Sequence, residues 1–199
     1  MISDFPILVF LLSTAILLLT PGPTNTLLAA AGLGRGLREA LPLIAFEFAG
    51  YLIAISGWGI FLASVGSYYP WMSMVVRVVC SGYLLYVAVR MWLSAAKLPI
   101  SDSKTIGPAT VFMTTILNPK GLLFASIIFP SQAFTRIQFY MLIMALFACV
   151  VAPIGAIWVA IGAAIGSGRV IVLDPVKLQR VFALVIGVFS ATIVWTAIH

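Results

Sequence analysis

Charged residues are scarce in this chain, and their scarcity indicates its class. Of its 199 residues, 8% are charged and 63% are hydrophobic. A soluble domain carries roughly 25% charged residues, which cover its water-facing surface. Because this sequence cannot cover such a surface, the solvent around it must be mostly hydrocarbon. We therefore predict an integral membrane protein.

Histidine and cysteine are also rare, and this argues against most enzyme chemistry. The only histidine is the terminal His199, so no Ser–His dyad, His/Cys metal cluster or HExxH helix can be assembled. Cys80 and Cys149 lie in separate apolar runs without a CxxC pair, which favours two small buried side chains. The glycine-rich stretch 32–36 lacks the Lys-Ser/Thr of a phosphate loop. We predict no enzymatic activity, no metal and no cofactor.

Six apolar runs are long enough to cross a membrane as helices, which takes about 20 residues each. Alternating polarity, which a membrane strand would show, is missing from runs such as 16–19. The first run has Asp4 before it and no clear cleavage site after it, so we interpret it as a retained helix. The prediction is one all-α membrane domain over residues 1–199, with spans at 5–31, 40–65, 71–95, 106–130, 139–165 and 178–198.

Basic residues exceed acidic ones by 11 to 5, and they lie mainly in short gaps between the apolar runs. This placement favours a role in membrane orientation over nucleic-acid binding. The gaps after the first, third and fifth runs hold most of the cations, so we predict that this side is cytoplasmic and that both termini are periplasmic. The cations in these gaps are Arg35, Arg38, Lys97, Lys104, Arg169, Lys177 and Arg180.

The chain divides at a polar linker, 97–108, into pseudo-repeats 1–100 and 101–199 with three predicted helices each. An odd number of helices per half inserts the second half upside down. Each half opens with a helix interrupted by proline and asparagine, at 20–25 and at 117–121. Corresponding interruptions in inverted repeats point to the binding site of a transporter.

The first interruption predicts an anion site. Pro21 and Pro23 flank Gly22, so the helix should stop there and restart near Thr24. The restarted helix would present free N–H groups and a positive dipole end to a carboxylate, and Asn25 could add a side-chain donor. A kink that only improves packing is the alternative.

The second interruption brings in Asn118, Pro119 and Lys120. Asn118 is predicted to cap the restarted helix, with ligand contact as a second role. Lys120 could neutralise a substrate carboxylate, pair with Glu47, or lie at the membrane interface. Glu47 is the only acid deep within an apolar run, where a charge costs roughly 2.5–3.5 kcal/mol. It could carry protons or bind an ammonium group, or it could be a structural partner of Lys120 or an arginine.

Gly162 and Gly166 form a GxxxG pair in the fifth run, which permits close helix contact. Packing within the chain and formation of a homodimer are both open from the sequence.

Several short motifs follow one another along almost the whole chain. They are 20–23 (TPGP), 36–40 (GLREA), 82–86 (GYLLY) and 118–120 (NPK), followed by Phe124 and Phe129-Pro130. With these motifs the chain resembles the LysE/RhtB family of bacterial amino-acid exporters.

The resemblance implies a secondary transporter in the bacterial inner membrane, which exports amino acids or related small metabolites and is driven by protons. Its partners would be the substrate, protons and lipid. Glu47 loosely matches an acid known in the basic-amino-acid branch, but the fourth span offers Phe124 and Ala125 in place of a second acid. The substrate therefore stays open, and a passive channel for small polar solutes is the alternative function.

Overall fold

The computed structural model describes residues 5–93 and 106–167, together with single residues between 180 and 195. This part of the chain contains helices and turns and no strand. Only scattered residues of the sixth predicted span are described, and most of the linker 97–108 lies outside the described residues. Four of the orienting cations also lie outside them: Lys97, Lys104, Arg169 and Lys177. The elements are α1 (Ile7–Leu19), α2 (Pro23–Arg35), α3 (Leu37–Ala40), α4 (Leu43–Tyr68), α5 (Pro70–Leu93), α6 (Pro108–Ile116), α7 (Lys120–Leu123), a π-helical turn (Phe124–Ile128), a 3-10 turn (Ser131–Thr135) and α8 (Ile137–Gly166).

Two stretches are long and apolar enough to cross a membrane, Leu37–Gly66 and Ile137–Gly166. Two further candidates are bent pairs: α1 and α2 meet at 63°, and α6 meets Lys120–Ile128 at 52°. The described part of the chain therefore holds two spans, or up to four if each bent pair is one span. α5 has 24 residues but is not among these candidates.

Both bends occur where the sequence predicted them, and proline is the cause. α1 ends at Leu19 because Pro21 and Pro23 have no N–H to continue its hydrogen-bond ladder. Gly22 is extended, and Pro23 then occupies the first turn of α2. In the second pair, α6 ends at Ile116 and α7 starts directly after Pro119.

Glycines let helices from different halves of the sequence pack with their backbones in contact. A Cβ on Gly162 would overlap the carbonyl of Ala29, and one on Gly32 would overlap the carbonyl of Val159, so α2 lies directly on α8. Gly166 faces Leu33 in the same way. The GxxxG pair is therefore used for packing within the chain.

A second close contact joins α4 to α6. A Cβ on Gly50 would lie 2.9 Å from the carbonyl oxygen of Phe112 and 2.7 Å from the Thr115 Cβ. Beside this contact, the rings of Tyr51, Phe124 and Phe147 pack edge to face, with centroids 4.9–5.6 Å apart. The glycine contact joins α4 to the second bent pair, and the three rings join α4, α8 and the π-helical turn.

Candidate functional site

The two proline breaks lie against each other. The Asn118 amide nitrogen (Nδ2) donates a hydrogen bond of 3.0 Å to Thr24 Oγ1, and Thr115 Oγ1 lies 3.2 Å from the same oxygen. The Lys120 Nζ donates a hydrogen bond of 2.5 Å to the carbonyl oxygen of Thr20. All four of these side chains and Thr20 are buried. One buried polar site is thus formed by residues about 100 positions apart in the chain.

At the first break, carbonyl groups that lost their helical partners are satisfied by Asn25. Its amide nitrogen donates to the Leu18 carbonyl at 2.6 Å and to the Thr20 carbonyl at 2.8 Å. Both donors of this amide are therefore used within the chain. The prediction that Asn25 and the end of the restarted helix near Thr24 receive a carboxylate stays a prediction. It requires Asn25 to release one of these carbonyls.

At the second break, Pro119 is the N-cap of α7, and Asn118 contacts the start of this helix from one residue earlier. Its Oδ1 accepts a hydrogen bond of 3.0 Å from the backbone N–H of Lys120, the first residue of α7. Lys120 is only 6% exposed, and its stem lies over Gly22, where a Cβ would be 3.1 Å from Cε and 3.2 Å from Nζ. The glycine between Pro21 and Pro23 thus leaves room for the lysine to reach the Thr20 carbonyl.

Glu47 is buried between α4 and α8, with 1% of its surface exposed. Its Oε2 has no hydrogen-bond partner among the described residues. No ion pair within 4 Å joins it to Lys120 in that part of the chain, although the two groups attract each other electrostatically. Gly155 of α8 faces the carboxyl group, because a Cβ there would lie 3.0 Å from Oε2. Glu47 is therefore closely packed against α8 and has no cation within 4 Å among the described residues.

Three further buried polar atoms lack a hydrogen-bond partner in the described region: Thr14 Oγ1, Tyr51 OH and Trp158 Nε1. The sequence analysis missed these residues and also Thr115. Tyr51 could have been found, because it lies one helical turn after Glu47 and so shares its face. Thr14 and Trp158 lie in apolar runs without a local signal. Buried polar groups are normally hydrogen-bonded, so each of these four unpaired atoms is an exception that calls for an explanation.

The chemistry available at these positions is binding and proton exchange. Lys120, Asn118 and Asn25 are donors that could move from a protein carbonyl to a ligand oxygen, and Glu47 can accept a proton or an ammonium group. Among the described residues, no three His, Cys, Asp or Glu side chains are close enough to hold a metal ion.

Comparison with known proteins identifies one family. A family model described as "LysE type translocator" matches residues 15–198. No curated protein and no solved structure matches the chain.

Proposed function

The chain belongs to the LysE type translocator family, as its motifs suggested, and on that premise we propose that it is a proton-coupled secondary exporter of amino acids or related small metabolites. It is a multi-pass membrane protein of a transporter family. The substrate class, the coupling to protons and the site residues are parts of our proposal.

The observation that carries this proposal is the direct contact between the two breaks. Lys120 Nζ donates a hydrogen bond to the Thr20 carbonyl at the opposite break. Asn118 donates one to Thr24 at the start of α2. A substrate carboxylate is a stronger acceptor for an ammonium group than a neutral carbonyl is. Substrate binding would therefore draw Lys120 from Thr20 and loosen the contact between the breaks. This gives the substrate a way to change the conformation, because it binds one arrangement better than the other.

Glu47 supplies the second half of the mechanism that we propose. A carboxyl group without a partner in a buried site can receive either a proton or the amino group of a substrate, and not both. Because Glu47 and Lys120 attract each other, a change of charge on one changes the energy of the other. Competition of this kind would couple proton entry to substrate release.

The packing supports two inverted halves. The first helix of the first half, α1 with α2, packs on α8, which is the second helix of the other half. The first helix of the second half, α6 with α7, packs on α4 in the corresponding way. We propose six spans in the bacterial inner membrane, with both termini periplasmic. Since Gly162 and Gly166 are used internally, a homodimer would need another surface.

The test is a metabolite profile of the medium around cells that overproduce the protein. We expect accumulation of an amino acid or a related metabolite that an uncoupler abolishes, and loss of this accumulation in the Pro21→Ala/Pro23→Ala variant. In Glu47→Gln cells, which have the same side-chain size without the titratable group, export should fall at least about tenfold. As the control, the wild type and both variants must be present in the membrane at the same level.

Each contrary outcome identifies the part of the proposal that fails. Undiminished, uncoupler-sensitive export by Glu47→Gln would remove this carboxyl group from the mechanism. Flux that survives collapse of the proton gradient and follows concentration alone would favour a passive channel. A medium unchanged by the wild-type protein would contradict export of small metabolites.

A further inference from the structure

A cleft of about 350 Å³ lies beside the π-helical turn, and no residue of the two proline breaks lines it. It is bounded by Gly59 and Leu62 of α4, by Val76 of α5, and by the segment 125–134. This volume is within the range of small-molecule sites, about 300–1,000 Å³. None of the described residues that line it carries a charge.

The polar groups of the cleft come from the side chains of Ser126, Ser131 and Gln132 and from the backbone of a helix end that lines it. The helix Lys120–Ile128 ends here, and the Phe129 N–H turns back to the Phe124 carbonyl at 2.8 Å, as a π-helical bond. Pro130 has no N–H to offer. The carbonyls of Ser126, Ile127 and Ile128 consequently receive no hydrogen bond from the described residues.

These carbonyls also form the negative end of the helix dipole. Unpaired carbonyl groups at a helix C-terminus attract cations and hydrogen-bond donors. In a membrane protein they are costly to leave unpaired, because no water in the hydrocarbon layer can replace the missing donors. A ligand that donates hydrogen bonds would remove this cost.

Two aromatic rings make up the apolar wall of the cleft. Phe129 and Phe134 stack with centroids 6.0 Å apart and an interplanar angle of 24°. Phe134 occupies a notch at Gly59, where any Cβ would overlap its ring. Aromatic faces attract organic cations, and together with Leu62 and Val76 they can bury an alkyl group.

We propose that this cleft is a binding site for a primary ammonium group attached to a small apolar body. The ammonium group donates to the carbonyls of 126–128, and the alkyl part lies against the two phenylalanine rings and Val76. If the protein is the exporter proposed above, on which this step rests, the cleft is a second substrate site beyond the breaks. It then selects amino acids with uncharged, apolar side chains.

A lysine placed in the cleft tests this proposal, because its own ammonium group would occupy the carbonyls. Val76→Lys is compared with Val76→Met, which has a similar length and no charge. Purified full-length protein in nanodiscs is titrated with 3-methylbutylamine by calorimetry, with empty nanodiscs as the blank. The same series is repeated with Leu62→Lys and Leu62→Met, in case one lysine prevents folding.

We expect 3-methylbutylamine to bind the wild type and both methionine variants, and to bind the lysine variants at least about tenfold more weakly. 4-Methylpentanoate, which has the same alkyl group with a carboxylate in place of the amino group, should not bind. Equal binding to the lysine and methionine variants would overturn the proposal. So would displacement of the amine by NaCl but not by tetramethylammonium chloride at the same ionic strength, which would indicate a site for free sodium.

This measurement separates the cleft from the exporter proposal, since amine binding needs no proton gradient and no Glu47. Binding without any export of metabolites would retain the cleft site and remove the transport function. Export without amine binding would retain the transport function and remove the cleft site.

Discussion

The contact between α2 and α8 gives the sharpest stability prediction. In Gly162→Ala, the new methyl group would overlap the backbone carbonyl of Ala29, and a backbone atom cannot rotate away as a side chain can. The two helices would have to move apart by about 1 Å, which sacrifices many of their van der Waals contacts. Overpacking of this kind costs about 1–3 kcal/mol.

Gly57→Ala is the matched control, because a Cβ at Gly57 of α4 meets no atom within 4 Å. Its only effect is the gain in helix propensity, about 1 kcal/mol for glycine to alanine. The same gain acts in Gly162→Ala, so the two variants should differ by the overpacking cost. For a chain of this size, that difference corresponds to about 2–12 °C in the midpoint of thermal unfolding.

Thermal unfolding of purified protein, followed by size-exclusion chromatography of the heated samples, measures this difference. We expect Gly162→Ala to lose its monodisperse peak at a lower temperature than Gly57→Ala. Identical midpoints for the two variants would refute the direct backbone contact of α2 with α8. The GxxxG pair would then be available for contact between chains.

Two substitutions test the site itself. Lys120→Met keeps the length of the side chain but removes its hydrogen bond to Thr20 and the burial of an amino group that has no ion pair within 4 Å among the described residues. We expect an unchanged or higher thermal midpoint with export lost, whereas destabilisation by several degrees would assign Lys120 a structural role. Gly155→Ala would place a methyl group 3.0 Å from the Glu47 Oε2, so we expect export to fall several-fold while the thermal midpoint shifts little. Export equal to that of the wild type would show that the carboxyl group does not need this space.

Local chemistry explains which features could be predicted from the sequence. Proline acts through its missing N–H and its own ring, so both breaks were evident from 20–23 and 117–120. Glu47 stood out because a single acid in an apolar run must be buried. The end of the fourth span was less predictable: the run extends to Pro130, but the helix turns π-helical at Phe124 and ends at Ile128.

Long-range contacts account for what the sequence did not reveal. The hydrogen bonds from Asn25 to the carbonyls of Leu18 and Thr20, which its own break had freed, were not predicted, and contact of Asn25 with a ligand stays a prediction. Thr115 could not be linked to Thr24 without knowing that α6 crosses α2. The approach of Gly32 to Val159 also depends on the packing of two distant segments, and no periodicity in either one encodes it.

The glycine contacts have a consequence for how this protein can move. Helices with touching backbones resist sliding and tilting against each other, because such motion forces backbone atoms into overlap. We therefore expect α2 to move together with α8, and α6 together with α4, in any conformational change. If the chain consists of the two repeats proposed above, each of these pairs combines helices from both repeats, and the Lys120–Thr20 hydrogen bond is a contact that can open when the pairs separate.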